Sequence, residues 1–487
     1  MSNTYHITTA IPYVNAKPHL GHVLEWFQAD SVARYQRLIG KDVSFTSGAD
    51  ENSLKNVQAA EKAGVVVQDW LDQYAQIFKD AYTHFGIELT GFGRGSDQHH
   101  HWPGVQKLWQ LCDHAGDIYK KTYKGLYCVG CEAFYTADEL VDGKCPEHLV
   151  PPEEIEEENY FFKLSKYQSQ IENLIATDQL HIVSDQYKNE MLGFIRQGLQ
   201  DFSVSRSHQR GRGIGVPVPG DESQVMYVWF DALAIYMTAI GWGWDQEQWQ
   251  KYWTQDGEIT HVIGKGINRF HSVYWIGMLL SAGLALPKKI SVHGYITANG
   301  QKMSKSLGNV IDPFEVVEKY GLEPVRFYLL KYIPSHADGD FSYDKFAEIY
   351  TADLANGLGN LCSRVAKLCE KADVPSPFFT REKNDDYQLN FLKEESFSRA
   401  FHEIELSEAL NNIWADIAAA DQFLSEQQPW KQTGEAQAQT LTTAIEKIVR
   451  IATQLQPFMP STAKTILSHF TQEKITALSP LFPRLAE

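Results

Sequence analysis

Short apolar strands that lead into loops and then into amphipathic helices recur along the first part of the chain, and this alternation calls for a parallel α/β sheet. Tyr5 to Thr9 alternates in strand fashion and meets a turn at Pro12 to Pro18. A helix should start near Pro18, since proline is tolerated in a first helical turn. It runs through Val23, Trp26, Phe27 and Ala33, whose spacings suit one buried face. Asp42 to Ser47 reads as a second strand, followed by the loop Gly48-Ala49-Asp50. A further helix is marked by Trp70, Leu71, Tyr74, Ile77, Phe78, Ala81 and Phe85. The pattern breaks from about Asp117 to Ser223, where aromatics, cysteines and the acidic run Glu153 to Glu158 point to an inserted module. It resumes with strands at Val225 to Phe230, Thr260 to Ile263 and Ile290 to Val292. Beyond Ala352 only helices are expected. Leu354, Leu358, Leu361, Val365 and Leu368 form one apolar stripe, and further stripes run through Leu406 to Ile417 and Ile445 to Leu455.

A chain of 487 residues is too long for one compact core, so several domains are expected. A net charge of −17 argues against bulk attraction to nucleic acid; any RNA partner should be recognised by shape and specific bases. No apolar run is long enough to cross a bilayer, and the N-terminal segment carries no secretion pattern, which predicts a cytoplasmic protein. His99, His100 and His101 read as solvated surface with no ligand role.

Of the six cysteines, three lie within eighteen residues. Cys128-Val-Gly-Cys131, thirteen residues, then Cys145-Pro-Glu-His148 gives paired ligands at knuckle spacing. Three thiolates and an imidazole form a closed tetrahedral site for one structural zinc, with no position left for water. A redox pair or a disulfide is the alternative.

Two short motifs carry the chemistry. In Pro18-His19-Leu20-Gly21-His22 the histidines share a helix face at an N-terminus, where backbone amides and the dipole favour phosphate. Alone, the spacing also describes a surface or core pair. Lys302-Met303-Ser304-Lys305-Ser306 lies between Gly300 and Gly308, and its two ammonium groups on a glycine-hinged loop suit a triphosphate. The alternative is a solvated basic loop.

Together the two motifs resemble the signature pair of class I aminoacyl-tRNA synthetases. The rest of the chain is similar to the methionyl branch at Ala10 to Asn15, Gly48 to Asp50, Tyr227 to Ala232, Phe270-His271 and Val292 to Tyr295. The resemblance implies that His19 and His22 hold the phosphates, that Lys305 makes the main transition-state contact and Lys302 assists, and that Arg206 lies near the phosphates. Gly264, His293 and Gly294 join His19, His22 and Lys305 around ATP. Ile11, Tyr13, Trp229, Tyr236, Ile267, His271 and Trp275 surround the methionine side chain, and Asp50 pairs its α-amino group. Such a cage suits a polarizable thioether, although each tryptophan taken alone reads as core. Asn360, Arg364 and Trp430 match the anticodon-reading positions, where unstacked bases meet flat rings and hydrogen-bonding groups. Without the resemblance they would be a capping asparagine, a surface arginine and a packed tryptophan.

The implied fold is a Rossmann-like parallel-sheet catalytic domain, split by a zinc-bearing connective insert and followed by an all-α anticodon-binding bundle. Its expected limits are 1–116 and 225–318 for the catalytic halves, 117–224 for the insert, 319–353 for a stem-contact linker and 354–487 for the bundle. ATP with Mg2+, L-methionine and the methionine tRNA are the implied partners, with no membrane partner; a monomer is expected. Two departures stand out: Asn52-Ser53 replaces a His-Gly pair, and Gly266 replaces an aspartate implied to touch the ribose. The leucine or cysteine synthetases, a catalytically silent tRNA-binding relative, and a nucleotidyl transferase that shares the histidine motif are the competing readings.

Overall fold

The computed structural model describes residues 3–128, 133–135, 137–147, 149–303, 310–379 and 384–485. Its contacts divide the chain into two units: 1–18 with 43–292, and 19–42 with 293–487.

The first unit is built on a six-stranded sheet. Its strands are β1 (Thr4–Thr9), β2 (Asp42–Ala49), β3 (Gly91–Arg94), β7 (His181–Val183), β12 (Glu258–Gly264) and β13 (Lys289–His293), in the order β3-β2-β1-β12-β13-β7. β1 pairs with β12, β2 with β3 and β13 with β7, all parallel. Ile7, Phe45, Ile259 and Ile290 are fully buried, as expected where apolar runs are covered on both faces. Helices Val67–His84 and Trp102–His114 bury Phe78 and Leu108 at helical spacing.

The segment from Asp117 to Ser223 holds a four-stranded sheet, β5-β4-β6-β8, made of β4 (Ile118–Cys128), β5 (Ala133–Tyr135), β6 (Glu153–Phe162) and β8 (Phe202–Ser203). β4 and β6 pair antiparallel over ten residues, from Ile118↔Phe162 to Tyr127↔Glu153. The segment is not wholly separate from the main sheet, because β7 returns to it as an edge strand beside β13. Three residues, His181–Val183, are too short a run to stand out in the sequence.

The strand expected at Val225 to Phe230 is not one element. β11 (Asp221–Met226) joins β9 (Ser205–Ser207) and β10 (Pro217–Val218) in a small antiparallel sheet, and Val228–Thr238 is a helix. That helix is buried on nearly every side, so its sequence lacks the polar face that distinguishes a helix from a covered strand.

The second unit is mostly helical. Helix Leu20–Leu38 places Asp30 against the buried Arg326 of helix Leu322–Tyr332 at 2.7 Å, and Tyr35 stacks on Phe401 at 4.1 Å. A three-stranded sheet, β15-β14-β16, comprises β14 (Ile296–Ala298), β15 (Gln301–Lys302) and β16 (Gly339–Phe341). The apolar stripe after Ala352 begins in a π-helix, Tyr350–Gly359, before α-helix Asn360–Ala372. The wider turn shifts the phase, so Cys369 is buried in line with Val365 and Leu368 is only half-buried. Helices Leu406–Gln427 and Gly434–Leu455 bury Leu410, Ile413, Ile445 and Ile448, as their stripes require.

Candidate active site

In the second unit, the first motif folds as a cap. The helix begins at Leu20, and His19, not Pro18, is its N-cap residue. His19 Nδ1 accepts from the backbone N–H of Gly21 at 3.1 Å and of His22 at 3.4 Å, while His22 Nδ1 accepts from the His19 N–H at 3.2 Å. This is a capping box built from two imidazoles in place of the usual hydroxyl and carboxylate. The rings stack at 3.8 Å and 16°. Because both Nδ1 atoms accept, each neutral ring carries its proton on Nε2, as a donor suited to an anion. His22 keeps some solvent contact, yet loss of hydration holds its pKa well below the usual histidine range, reinforced by His19 and His293. A Cβ on Gly21 would lie 3.0 Å from the His19 ring, so a larger residue there would need that ring to shift by a few tenths of an ångström.

His293 is buried, with Nε2 3.0 Å from Glu25 Oε2 and Nδ1 2.8 Å from the Gly294 carbonyl oxygen. A Cβ on Gly294 would sit 2.2 Å from the Ala337 carbonyl carbon, so a close backbone crossing fixes this residue as glycine. Next comes a two-residue hairpin. Asn299 and Gly300 have φ of 51° and 75°, and β14 pairs with β15 through Thr297↔Lys302 and Ala298↔Gln301. Gly300 is therefore a turn residue and not a hinge of the lysine loop, and the Lys302 backbone belongs to a strand. Lys305 and Gly308 lie outside the described residues.

In the first unit, most of the expected methionine residues gather on one buried cluster. Tyr236 and Trp275 belong to it, and Ile11, Trp229 and Ile267 pack against it. His271 sits in a π-helix, Phe270–Tyr274, fully enclosed. Its Nδ1–H donates to the Ile267 carbonyl at 2.9 Å, which leaves Nε2 to accept the Tyr236 hydroxyl at 2.7 Å. Burial pushes the His271 pKa down to about 4, so the ring is neutral. Trp229 stacks on Phe270 at 3.8 Å and 5°, and Tyr13 pairs with Asp50 in a parallel bridge. Phe270 had no assigned role in the sequence reading; its interval from Trp229 carries no periodic signal. Asp50 is buried, its N–H bonded to the Pro12 carbonyl at 2.9 Å and its own carbonyl to Asn56 Nδ2 at 2.8 Å.

These groups comprise a helix N-terminus capped by two imidazoles and, in the first unit, a buried aromatic cluster around the neutral His271. The family model for class I tRNA synthetases (M) matches residues 5–154 and 150–366. The methionine–tRNA ligase of Thermotoga maritima is 39% identical over 96% of this chain and 76% of its own length, and that of Brucella suis is 39% identical over 95% and 91%. The chain belongs to the methionyl class I tRNA synthetases. A solved methionyl-tRNA synthetase of Mycobacterium tuberculosis, in complex with methionyl-adenylate, superposes with a TM-score of 0.89 at 35% identity, covering 99% of this chain and 100% of that one.

Within this methionyl synthetase the two departures have local explanations. Ser53 caps helix Leu54–Ala63, its hydroxyl accepting from the Lys55 N–H at 3.1 Å. Asn52 Nδ2 donates to Asp231 Oδ2 at 2.6 Å and to the Gly95 carbonyl at 2.9 Å. Gly266 is exposed in a short 3-10 turn, Lys265–Ile267, that follows Gly264 at the end of β12. The expectation that the histidine triplet is all solvated surface fails at His101. It is buried, with Nε2 2.5 Å from Asp231 Oδ1 and Nδ1 2.8 Å from the Thr238 hydroxyl, while His99 and His100 are exposed. A buried carboxylate is what draws that one ring inward.

Arg206 is a buried residue of β9, its guanidinium 5.1 Å from the centre of the Tyr227 ring. Cys128 and Cys145 are both buried in one small cluster with Tyr135. Cys131 and His148 lie outside the described residues, and no group of three or more metal-ligand side chains occurs among the described ones. The two thiols that are described share one buried site, which fits a thiolate metal centre. In the second unit, Asn360 is exposed at the start of its α-helix, Arg364 pairs with Asp421, and the Arg364 guanidinium lies 5.9 Å from the Trp430 ring. No helix among the described residues is long and apolar enough to cross a membrane.

Proposed function

We propose that this chain is a methionine–tRNA ligase that makes methionyl-adenylate from L-methionine and ATP and then esterifies the 3′ end of initiator and elongator methionine tRNA. The observation that carries the reading is the imidazole capping box at His19 and His22, which sets two Nε2 donors at a helix N-terminus. Adenylation forms a bond from the methionine carboxylate oxygen to the α-phosphorus and breaks the bond to the bridging oxygen of pyrophosphate. The carboxylate is already a nucleophile, so alignment and dispersal of charge supply the catalysis, with no strong base needed.

His19, His22 and His293 hold the nucleotide with the Gly264 and Gly294 backbone. Lys305, Lys302 and Arg206 meet the charge that grows on the departing pyrophosphate, and Mg2+ enters with ATP. Asp50 pairs the α-amino group, and Ile11, Tyr13, Trp229, Tyr236, Ile267, His271 and Trp275 enclose the thioether. A hydroxyl of the tRNA terminus then attacks the acyl carbonyl and AMP departs, while Asn360, Arg364 and Trp430 read the anticodon. One zinc held by Cys128, Cys131, Cys145 and His148 stabilises the insert. The domain limits given above, a monomeric state and a cytoplasmic location complete the reading.

ATP–pyrophosphate exchange run with each amino acid tests it. Methionine should support the fastest exchange, and Lys305→Ala should abolish exchange while tRNA still binds. Fastest exchange with leucine or cysteine would overturn the methionine assignment, and no adenylate at all would favour a silent tRNA-binding relative. Metal analysis of the purified protein should find one zinc per chain, lost in Cys145→Ser; protein without zinc would remove that site.

A further inference from the structure

Three consecutive residues at the end of β2 are each held by a different partner. Asp50 is fixed through its backbone by Pro12 and Asn56. Glu51 is fully buried; Arg94 donates to its Oε1 at 2.6 and 3.0 Å, and Ser96 donates to Oε2 through N–H and hydroxyl at 3.0 and 2.7 Å. Asn52 reaches across to Asp231, which also takes the His101 bond. Asp231 stands two residues beyond Trp229 on helix Val228–Thr238, and Thr238 at the end of that helix closes the chain of bonds through His101. The Asn52–Asp231–His101–Thr238 chain therefore ties the segment that bears Asp50 to the helix that bears Trp229 and Tyr236. Each of its four members is at most 9% exposed. A buried carboxylate with two donors is costly to disturb, so its geometry is sharply defined.

We infer that Asn52, Asp231 and His101 are positioning residues that set the Asp50 carboxylate at the distance from the Trp229–Tyr236 helix that suits the α-amino group of the bound amino acid. This rests on the reading of Asp50 given above. It also accounts for the departure at residue 52. The amide of Asn52 supplies the N–H donor that an imidazole at this position would offer, so the brace survives the replacement. None of these residues is among the substrate contacts proposed above. Their effect passes through Asp50, and it should fall on recognition of the amino group and spare the thioether cage.

The test compares methionine with 4-(methylthio)butanoate, which keeps the side chain and carboxylate and lacks the amine. In Asn52→Ala, the KM for methionine in pyrophosphate exchange should rise about tenfold, the effect of losing a hydrogen bond to a charged group. The Ki of the amine-free acid and the KM for ATP should stay within about twofold. Asn52→His should restore the wild-type ratio of the two constants. If Asn52→Ala weakens both compounds equally, or leaves the methionine KM unchanged, the brace has no positioning role and the inference falls. Asp50→Asn separates the two levels. An unchanged ratio in that variant removes the amino-group reading itself. A collapsed ratio in Asp50→Asn beside an intact one in Asn52→Ala removes the brace alone. Should Asn52→Ala fail to fold, Thr238→Val carries the same comparison, because it deletes only the hydroxyl behind His101.

Discussion

His271 shows how the fold sets one residue's chemistry. Its Nδ1–H is committed to the Ile267 carbonyl and its Nε2 to the Tyr236 hydroxyl, and burial keeps it uncharged. Beside the amino-acid site proposed above, a neutral ring would make no demand for a counter-charge, which favours an uncharged substrate side chain over an acidic or basic one. Tyr236→Phe removes the donor and leaves a buried nitrogen without its partner, at a cost of about 1–3 kcal/mol. The expected outcome is a lower melting temperature and a methionine KM raised about tenfold, with the ATP KM unchanged, measured by thermal unfolding and by exchange kinetics. An unaltered methionine KM would separate the pair from the amino-acid site. The residue types were legible in the sequence, and the tautomer was not: it depends on the Ile267 carbonyl, four positions away in the 3-10 turn before the π-helix.

At the scale of elements, the informative pieces are those that depart from regular spacing. The π-helix Phe270–Tyr274 presents His271 and Trp275 in a phase that an α-helical template misassigns, and Tyr350–Gly359 does the same immediately before Asn360. The hairpin at Asn299-Gly300 was hidden for another reason. Its strands are only three and two residues long, so no alternation could build up on either side. Gly300 has φ of 75° with no atom within 4 Å of an added Cβ, so Gly300→Ala is opposed by backbone conformation alone. We expect a loss of about 1 kcal/mol in urea unfolding. Since β15 leads directly to the lysine loop, exchange kcat should fall several-fold while the methionine KM holds. Unchanged kcat would mean that the turn does not set the loop.

For the molecule as a whole, pH is the most direct probe of buried chemistry. In the first unit, burial pushes His6 and His271 down to about 4 and His261 well below its usual range. The folded rings stay neutral where the unfolded chain, with a histidine pKa near 6.5, takes up protons. Their contribution is thus fully present above about pH 6.5 and is lost as pH falls towards 4, at about 1.4 kcal/mol per pH unit for each ring. Urea unfolding at a series of pH values should show this slope, and His6→Gln should reduce it by about one ring's share. An equal slope in that variant would show that His6 is charged in the native state.

The sequence by itself determined the alternating α/β order and the helical stretch after Ala352, because periodicity is a local property, and its short motifs pointed to the family. It placed Val228–Phe230 in a strand, since a helix buried all round and a covered strand are equally apolar. It left His101 on the surface, since nothing near it in the chain announces a carboxylate 130 residues away. Only the tertiary structure decided that β7 returns to the main sheet, that two imidazoles cap a helix with their Nδ1 atoms, and that Asn52 meets Asp231. Each of these is a partnership between groups distant in sequence or set by dihedral angles, and hydrogen bonds of that kind exist only once the chain has folded.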